Sequence, residues 1–186
     1  TKGLDFDHVS VVGIISADNL LRFPDLRAHE RAFQLMAQVA GRAGRRKDPG
    51  TVIIQAMEVD HPVLDLVVHH DVDGMYMREI EHRRAHGYPP FTRLIELTLK
   101  HRSEERVAAT AGVLSVALRE GLADRVLGPD IPLVSRIRDR YLRKLLIKVR
   151  RSAHAEEKAF VSEVIDRVFS APEHAAVQLV TDVDPM

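Results

Sequence analysis

Apolar positions along the chain change period several times, and each change marks an element. Val9 to Ile15 is a continuous apolar run rich in β-branched residues, as in a strand buried on both faces. Ser16 to Pro24 reads as a loop. From Asp25 to about Ala40 the spacing becomes helical, with Leu26, Phe33, Met36, Ala37 and Ala40 on one stripe. Gly41, Gly44, Pro49 and Gly50 interrupt it, and Thr51 to Met57 predicts a second strand. Strand, helix, strand is the signature of an α/β unit, and two strands are too few to complete its sheet. The remainder is expected upstream of Thr1. Helical spacing then covers about Pro62 to Ala85, with a break near Asp71 to Gly74, and stops at Gly87-Tyr88-Pro89-Pro90, where a domain boundary is expected.

Beyond that boundary Thr92 to Lys100 alternates as a strand, with Ile95, Leu97 and Leu99 on one face. Ser103 to Leu122 is helical, with Val107, Ala111, Leu114 and Leu118 in register and Glu104 and Glu105 in the first turn. Leu127-Gly128-Pro129 reads as a turn. Ile131 to Arg138 and Arg143 to Arg150 read as two strands about a bend at Asp139-Arg140. The second sets Leu145, Ile147 and Val149 against Lys144, Lys148 and Arg150. Ala155 to Phe169 is a helix and Val177 to Val183 a final strand. The order is β-α-β-β-α-β, the ferredoxin-like plan of an α+β domain. The expected division is therefore an α/β part over 1–60, a helical linker over 61–91 and the ferredoxin-like domain over 92–186.

Composition narrows the class. With 27 Lys and Arg against 27 Asp and Glu, and hydrophobic residues at 45%, the 186 residues suit a folded core rather than a disordered tail. No run approaches the roughly 18 apolar residues of a membrane helix. The absence of cysteine excludes disulfides and thiolate metal sites within these residues. The histidines, His69, His70 and His82 among them, lack ligand spacing, so no metal site is expected. The start at Thr1-Lys2-Gly3, without Met, is that expected of a cut piece, and no basic-then-apolar leader opens it.

Two clusters carry candidate chemistry. In Gln38-Val39-Ala40-Gly41-Arg42-Ala43-Gly44-Arg45, a helix continued through Gly41 puts Gln38, Arg42 and Arg45 on one face. Guanidinium groups match phosphate oxygens in pairs and neutralise charge that develops in phosphoryl transfer. The same residues also fit a solvated basic helix end, and composition does not separate the two readings. The second cluster is Arg136, Arg138, Arg140, Arg143, Lys144, Lys148, Arg150 and Arg151, with Tyr141 inside and Asp139 opposing. It offers a positive field for phosphates and a ring for an unpaired base. Alternation that sends long cations to the solvent face accounts for about half of it.

The segment Gln38 to Arg45 resembles motif VI of superfamily 2 helicases, Q-x-x-G-R-x-G-R, and Thr1-Lys2-Gly3-Leu4-Asp5-Phe6-Asp7-His8-Val9 resembles their motif V. Arg27 to Leu35 leads into motif VI. With Tyr88-Pro89-Pro90-Phe91, Leu127-Gly128-Pro129, Arg136 to Tyr141 and Asp182-Val183-Asp184-Pro185, the whole chain is similar to the C-terminal portion of the primosomal protein N′ family. These are replication-restart DNA helicases of bacteria. The resemblance implies part of a second RecA-like lobe, followed by a ribosomal S10-like domain of ferredoxin-like fold. It implies an ATP-dependent 3′–5′ helicase in which Arg42 and Arg45 reach the ATP phosphates, Arg45 as arginine finger. Gln38 would couple nucleotide to DNA, Gly3 and Asp5 would line the lobe interface, and Thr1 and Lys2 would lie near nucleic acid. Arg136, Arg138, Arg140, Tyr141, Arg143 and Lys144 would meet DNA or a protein partner.

ATP and Mg²⁺ are implied for the parent protein, and zinc for the family, on cysteines upstream of motif V. Neither a G-x-x-x-x-G-K-[ST] loop nor a D-E-x-H box occurs here, so these residues alone are expected to be inactive. Implied partners are forked or single-stranded DNA, the acidic tail of single-stranded-DNA-binding protein and other primosome proteins. The implied location is the bacterial cytoplasm, at the nucleoid. The alternative is a non-catalytic module that binds nucleic acid or a protein tail.

Overall fold

The structure, a computed structural model, describes residues 9–41, 43 and 50–185. The chain forms two compact units, Thr1–His82 and Arg83–Met186.

In the first unit β1 (Val11–Ile14) and β2 (Thr51–Ile54) pair in parallel, Val11 opposite Thr51 and Ile14 opposite Ile54. Between them lie α1 (Ala17–Leu21) and α2 (Ala28–Ala40), and after them α3 (Pro62–Val68) and α4 (Val72–Ala85). The core joins Ile14, Leu21, Phe33, Met36, Val63, Val67 and Met75. Val11, Ile15 and Ile53 are exposed, whereas the strands of a parallel sheet are ordinarily covered on both faces.

The stretch expected as a loop over Ser16 to Pro24 contains α1. Five residues are little more than one turn, and Ala17 with Leu21 gives a single buried i, i+4 pair, too short a repeat to show as a period. The α1 residue Asp18 accepts the Met57 N–H at 2.9 Å, and that bond holds its carboxyl below the usual range. The second helix starts at Ala28 rather than Asp25. The Asp25 carboxylate accepts the Arg27 N–H at 2.7 Å and its carbonyl the Ala28 N–H at 3.0 Å, so Asp25 sits in a turn before the helix. β2 ends at Ile54, three residues short of the expected Met57. The helical stretch from Pro62 is divided, with His70 at a φ of 53° and the Asp71 carboxylate accepting the Gly74 N–H at 2.8 Å.

In the second unit the elements are β3 (Thr92–His101), α5 (Glu104–Leu122), β4 (Val126–Asp130), β5 (Arg136–Ile137), β6 (Arg140–Arg150), α6 (His154–Phe169) and β7 (Gln178–Val183). The sheet runs β4-β6-β3-β7, antiparallel throughout, with β5 also paired to β6. This is an α+β arrangement with an antiparallel sheet. Its core sets Ile95, Leu97 and Leu99 of β3 and Leu145, Ile147 and Val149 of β6 against Val107, Leu114 and Leu118 of α5 and Val161, Val164 and Val168 of α6. Ser103 caps α5, its hydroxyl accepting the Arg106 N–H at 3.3 Å.

The hairpin region departs from the expected pattern. Leu127 to Pro129 belongs to β4 instead of forming a turn, and of Ile131 to Arg138 two residues are strand. β4 is an edge strand, where a proline is tolerated, and its register with β6 shifts between Leu127 and Asp130. Gly128 makes the shift feasible, with a φ of 93° and a carbonyl that accepts from Arg119 at 2.6 Å. A Cβ there would lie 2.6 Å from the Lys144 carbonyl oxygen. Gly128→Ala is expected to cost about 3 kcal/mol, from left-handed strain and backbone overlap together. Urea denaturation checks this, and a loss below about 1 kcal/mol, the mean effect of any substitution, would contradict the account.

Two side-chain devices close the unit. Glu157, buried at the start of α6, accepts from Arg125 Nη1 at 2.7 Å, from the Arg150 N–H at 2.8 Å and from Arg150 Nε at 2.5 Å. Asp184, just past β7, donates its N–H to the Leu94 carbonyl at 2.8 Å and accepts the Leu94 N–H on its carboxylate at 3.2 Å.

Candidate nucleic-acid interface

Strand β6 builds the basic surface by alternation. Leu145, Ile147 and Val149 face the helices, and Arg140, Lys144, Lys148 and Arg150 fall on the opposite face together with Leu142 and Leu146. Tyr141 and Arg143 share the helix-facing side. The six hairpin residues named from the sequence are thus divided between two faces and a turn.

Arg136 and Tyr141 stand directly opposite in the β5–β6 ladder, and the guanidinium carbon lies 4.9 Å from the ring centroid. Arg136 also donates to the Asp139 carboxylate. Arg138 and Asp139, with φ of 45° and 66°, form the two-residue turn, the left-handed pair that a tight hairpin requires. Arg140 is exposed and reaches the Gln178 amide oxygen at 3.0 Å.

Arg143 and Lys144 are more constrained. Arg143 donates to Glu104 at 2.9 Å with its side chain largely buried, and the Lys144 ammonium sits 2.7 Å from Glu96. The sequence places Asp139 alone among these cations. The fold adds Glu104 from α5, Glu96 from β3 and Glu157 from α6, so the local field is weaker than the linear charge run suggests.

Lys148 belongs to the cationic cluster but not to the six residues expected to make contact, and its surroundings are well defined. Its ammonium donates to the His86 carbonyl at 2.7 Å and stands 4.1 Å from the Tyr88 ring centroid. Burial pushes its pKa down, against the opposing pull of Asp124. Tyr88 lies in the motif expected as a boundary, but pairing it with a residue 60 positions later needs the fold. The loop before the hairpin carries a second surface feature, with Ile131, Leu133 and Val134 all well exposed.

In the first unit Gln38 is exposed in the last turn of α2. Thr1, Lys2, Gly3, Asp5, Arg42 and Arg45 lie outside the described residues. The rings of His29 and His61 meet edge to face at 5.3 Å. Burial first, then His61, lowers the His29 pKa. Among the described residues no three His, Asp or Glu side chains are grouped to hold a metal ion, and no helix is long and apolar enough to cross a membrane.

Fold and surface define a two-unit chain whose second unit presents a cationic β-hairpin on an antiparallel α+β sheet. The sequence pattern of the "Primosomal protein N C-terminal domain" family matches residues 84–186. The chain therefore belongs to the primosomal protein N′ (PriA) family, and corresponds to its C-terminal portion. It is 36% identical over 186 residues to replication restart protein PriA of Bacillus subtilis, covering 99% of this chain and 23% of that protein. Identity to the protein of the same name from Synechocystis is 41% over 150 residues, 80% of this chain and 18% of the relative. The Treponema pallidum protein is 36% identical over 189 residues, covering 100% and 28%. The chain thus spans 18% to 28% of these relatives' length.

Proposed function

We propose that the chain acts within an ATP-dependent 3′–5′ DNA helicase that restarts stalled replication forks. In this reading the first unit is part of a second RecA-like lobe and the second a ferredoxin-like, S10-like binding domain. The observation that carries the reading is near-complete coverage of the chain by replication restart proteins, with motif V-like and motif VI-like segments at its start. The half-covered parallel pair β1–β2 suits a lobe whose other strands come from the rest of the protein.

Arg42 and Arg45 would meet the phosphates of ATP bound with Mg²⁺ on the other lobe. Gln38 would relay nucleotide state toward DNA at Thr1 and Lys2, and Gly3 and Asp5 would line the lobe interface. The described residues offer no donor set for zinc, so no step in this chain is drawn through it. The β5–β6 hairpin would contact forked or single-stranded DNA, or the tail of single-stranded-DNA-binding protein, among other primosome proteins in the bacterial cytoplasm and nucleoid. The second reading is a self-standing, non-catalytic binding module, favoured by the separate core of the second unit.

The test is the full-length protein with forked duplex DNA. DNA-stimulated ATP hydrolysis together with unwinding supports the helicase reading. DNA binding without hydrolysis would leave the module instead.

A further inference from the structure

The hairpin tip carries a feature that a general attraction for phosphate does not use. Tyr141 is partly buried and packs on the core of the second unit, so its ring is fixed. Arg136 lies over it, with the guanidinium carbon 4.9 Å from the centroid, and is held from a second direction by Asp139. A guanidinium held by both a ring and a carboxylate has already lost most of its rotamer freedom, so stacking a further group on it costs little additional entropy. The side chain is nevertheless about half exposed, at 50%. Next along the hairpin is Arg138 in the turn, exposed, whereas Arg140 lies on the opposite face and reaches Gln178.

We propose that the Tyr141–Arg136 stack is a platform for one unpaired base of single-stranded DNA, with Arg138 holding a flanking phosphate. The proposal rests on the DNA-contact reading above and specifies what that contact recognises. Tyr141 itself is not the outer surface: Arg136 covers a face of its ring, so the guanidinium plane is what a base meets. A base is favoured over an acidic peptide because Asp139 already takes a guanidinium N–H. The Asp139 carboxylate would also repel a peptide carboxylate brought to the same guanidinium, whereas a neutral planar base can use its outward face. Arg143 and Lys144, engaged with Glu104 and Glu96, brace the strand and do not form the contact.

Fluorescence anisotropy on the chain tests this with two probes of identical phosphate count: a twelve-nucleotide oligothymidylate and its abasic counterpart. The unmodified chain is expected to bind the thymidylate about tenfold more tightly. Arg136→Lys keeps the charge but removes the plane, so the two affinities should converge while the salt dependence stays the same. Tyr141→Phe keeps the ring and should retain the preference, and an unchanged Tm shows that each variant is folded. Equal affinities for the two probes in the unmodified chain would overturn the platform and leave DNA contact standing. Failure to bind either probe would overturn the DNA-contact reading and the platform with it. Displacement of the thymidylate by a hexaglutamate peptide, lost in Arg136→Lys, would assign the surface to acidic peptides instead.

Discussion

Arg45→Ala in the full-length protein is expected to lower DNA-stimulated ATP hydrolysis by about 10³-fold or more. In the transition state of phosphoryl transfer, charge is spread over the equatorial oxygens of the γ-phosphoryl group, and a positioned guanidinium stabilises it without rearranging solvent. Ground-state binding should change far less, so DNA affinity is expected to stay within about twofold. Arg45→Lys is expected to rescue little, since an ammonium is a point charge and lacks the fork that meets two oxygens together. Steady-state hydrolysis with and without forked DNA, read beside anisotropy, separates these effects. Turnover unchanged in Arg45→Ala would remove the arginine from the phosphoryl-transfer step.

The largest expected effect on stability is at Glu157. Its carboxylate, with a side chain only 7% exposed, gathers Arg125, the Arg150 guanidinium and the Arg150 N–H. Removing it in Glu157→Ala leaves the Arg150 N–H without its acceptor and Arg125, 24% exposed, without its counter-charge. The Arg150 side chain can turn into water, which limits the loss to about 3 kcal/mol. For a unit of this size that is a drop in Tm on the order of 15 °C.

Glu157 also sets a dependence on pH. Burial pushes its pKa up, but the hydrogen bonds from Arg125 and Arg150 outweigh burial and leave it below the ordinary value of 4.5. A carboxyl depressed in the folded state contributes stability that is fully present above its unfolded pKa. That contribution is lost as pH falls through the folded value. Thermal melts of the unmodified chain should therefore steepen their decline below about pH 4.5, and those of Glu157→Gln should lack that share of it.

The second unit was legible where period and length agreed. Leu145, Ile147 and Val149 alternate with Lys144, Lys148 and Arg150 in sequence and in space, and Val107, Ala111, Leu114 and Leu118 form the buried stripe of α5. Legibility failed where local chemistry opposed the tertiary pairing. Gly128-Pro129 carries strong turn signals yet occupies an edge strand, because the register shift absorbs the misfit and Arg119 holds the Gly128 carbonyl. The basic cluster was visible as a run of cations, but its division between two faces and its counter-charges were not. Glu96, Glu104 and Glu157 come from three other elements, and linear charge says nothing of them. The motif VI resemblance rests on Gln38, Gly41, Arg42, Gly44 and Arg45, of which the described residues include Gln38 and Gly41. Asp184, named from the sequence only as part of the terminal motif of the resemblance, closes the sheet against Leu94.

That closure has a mechanical meaning. β7 runs antiparallel to β3, with Val183 opposite Ile95, so the chain enters and leaves the sheet side by side at one end. Tension applied between residues 92 and 185 would not slide the strands past each other with six residue pairs sharing the load. It would peel β7 from β3 like a zipper, starting at the Asp184–Leu94 contacts and loading one rung at a time. A domain hung this way resists thermal unfolding through its core, yet yields to a small force at its hinge end.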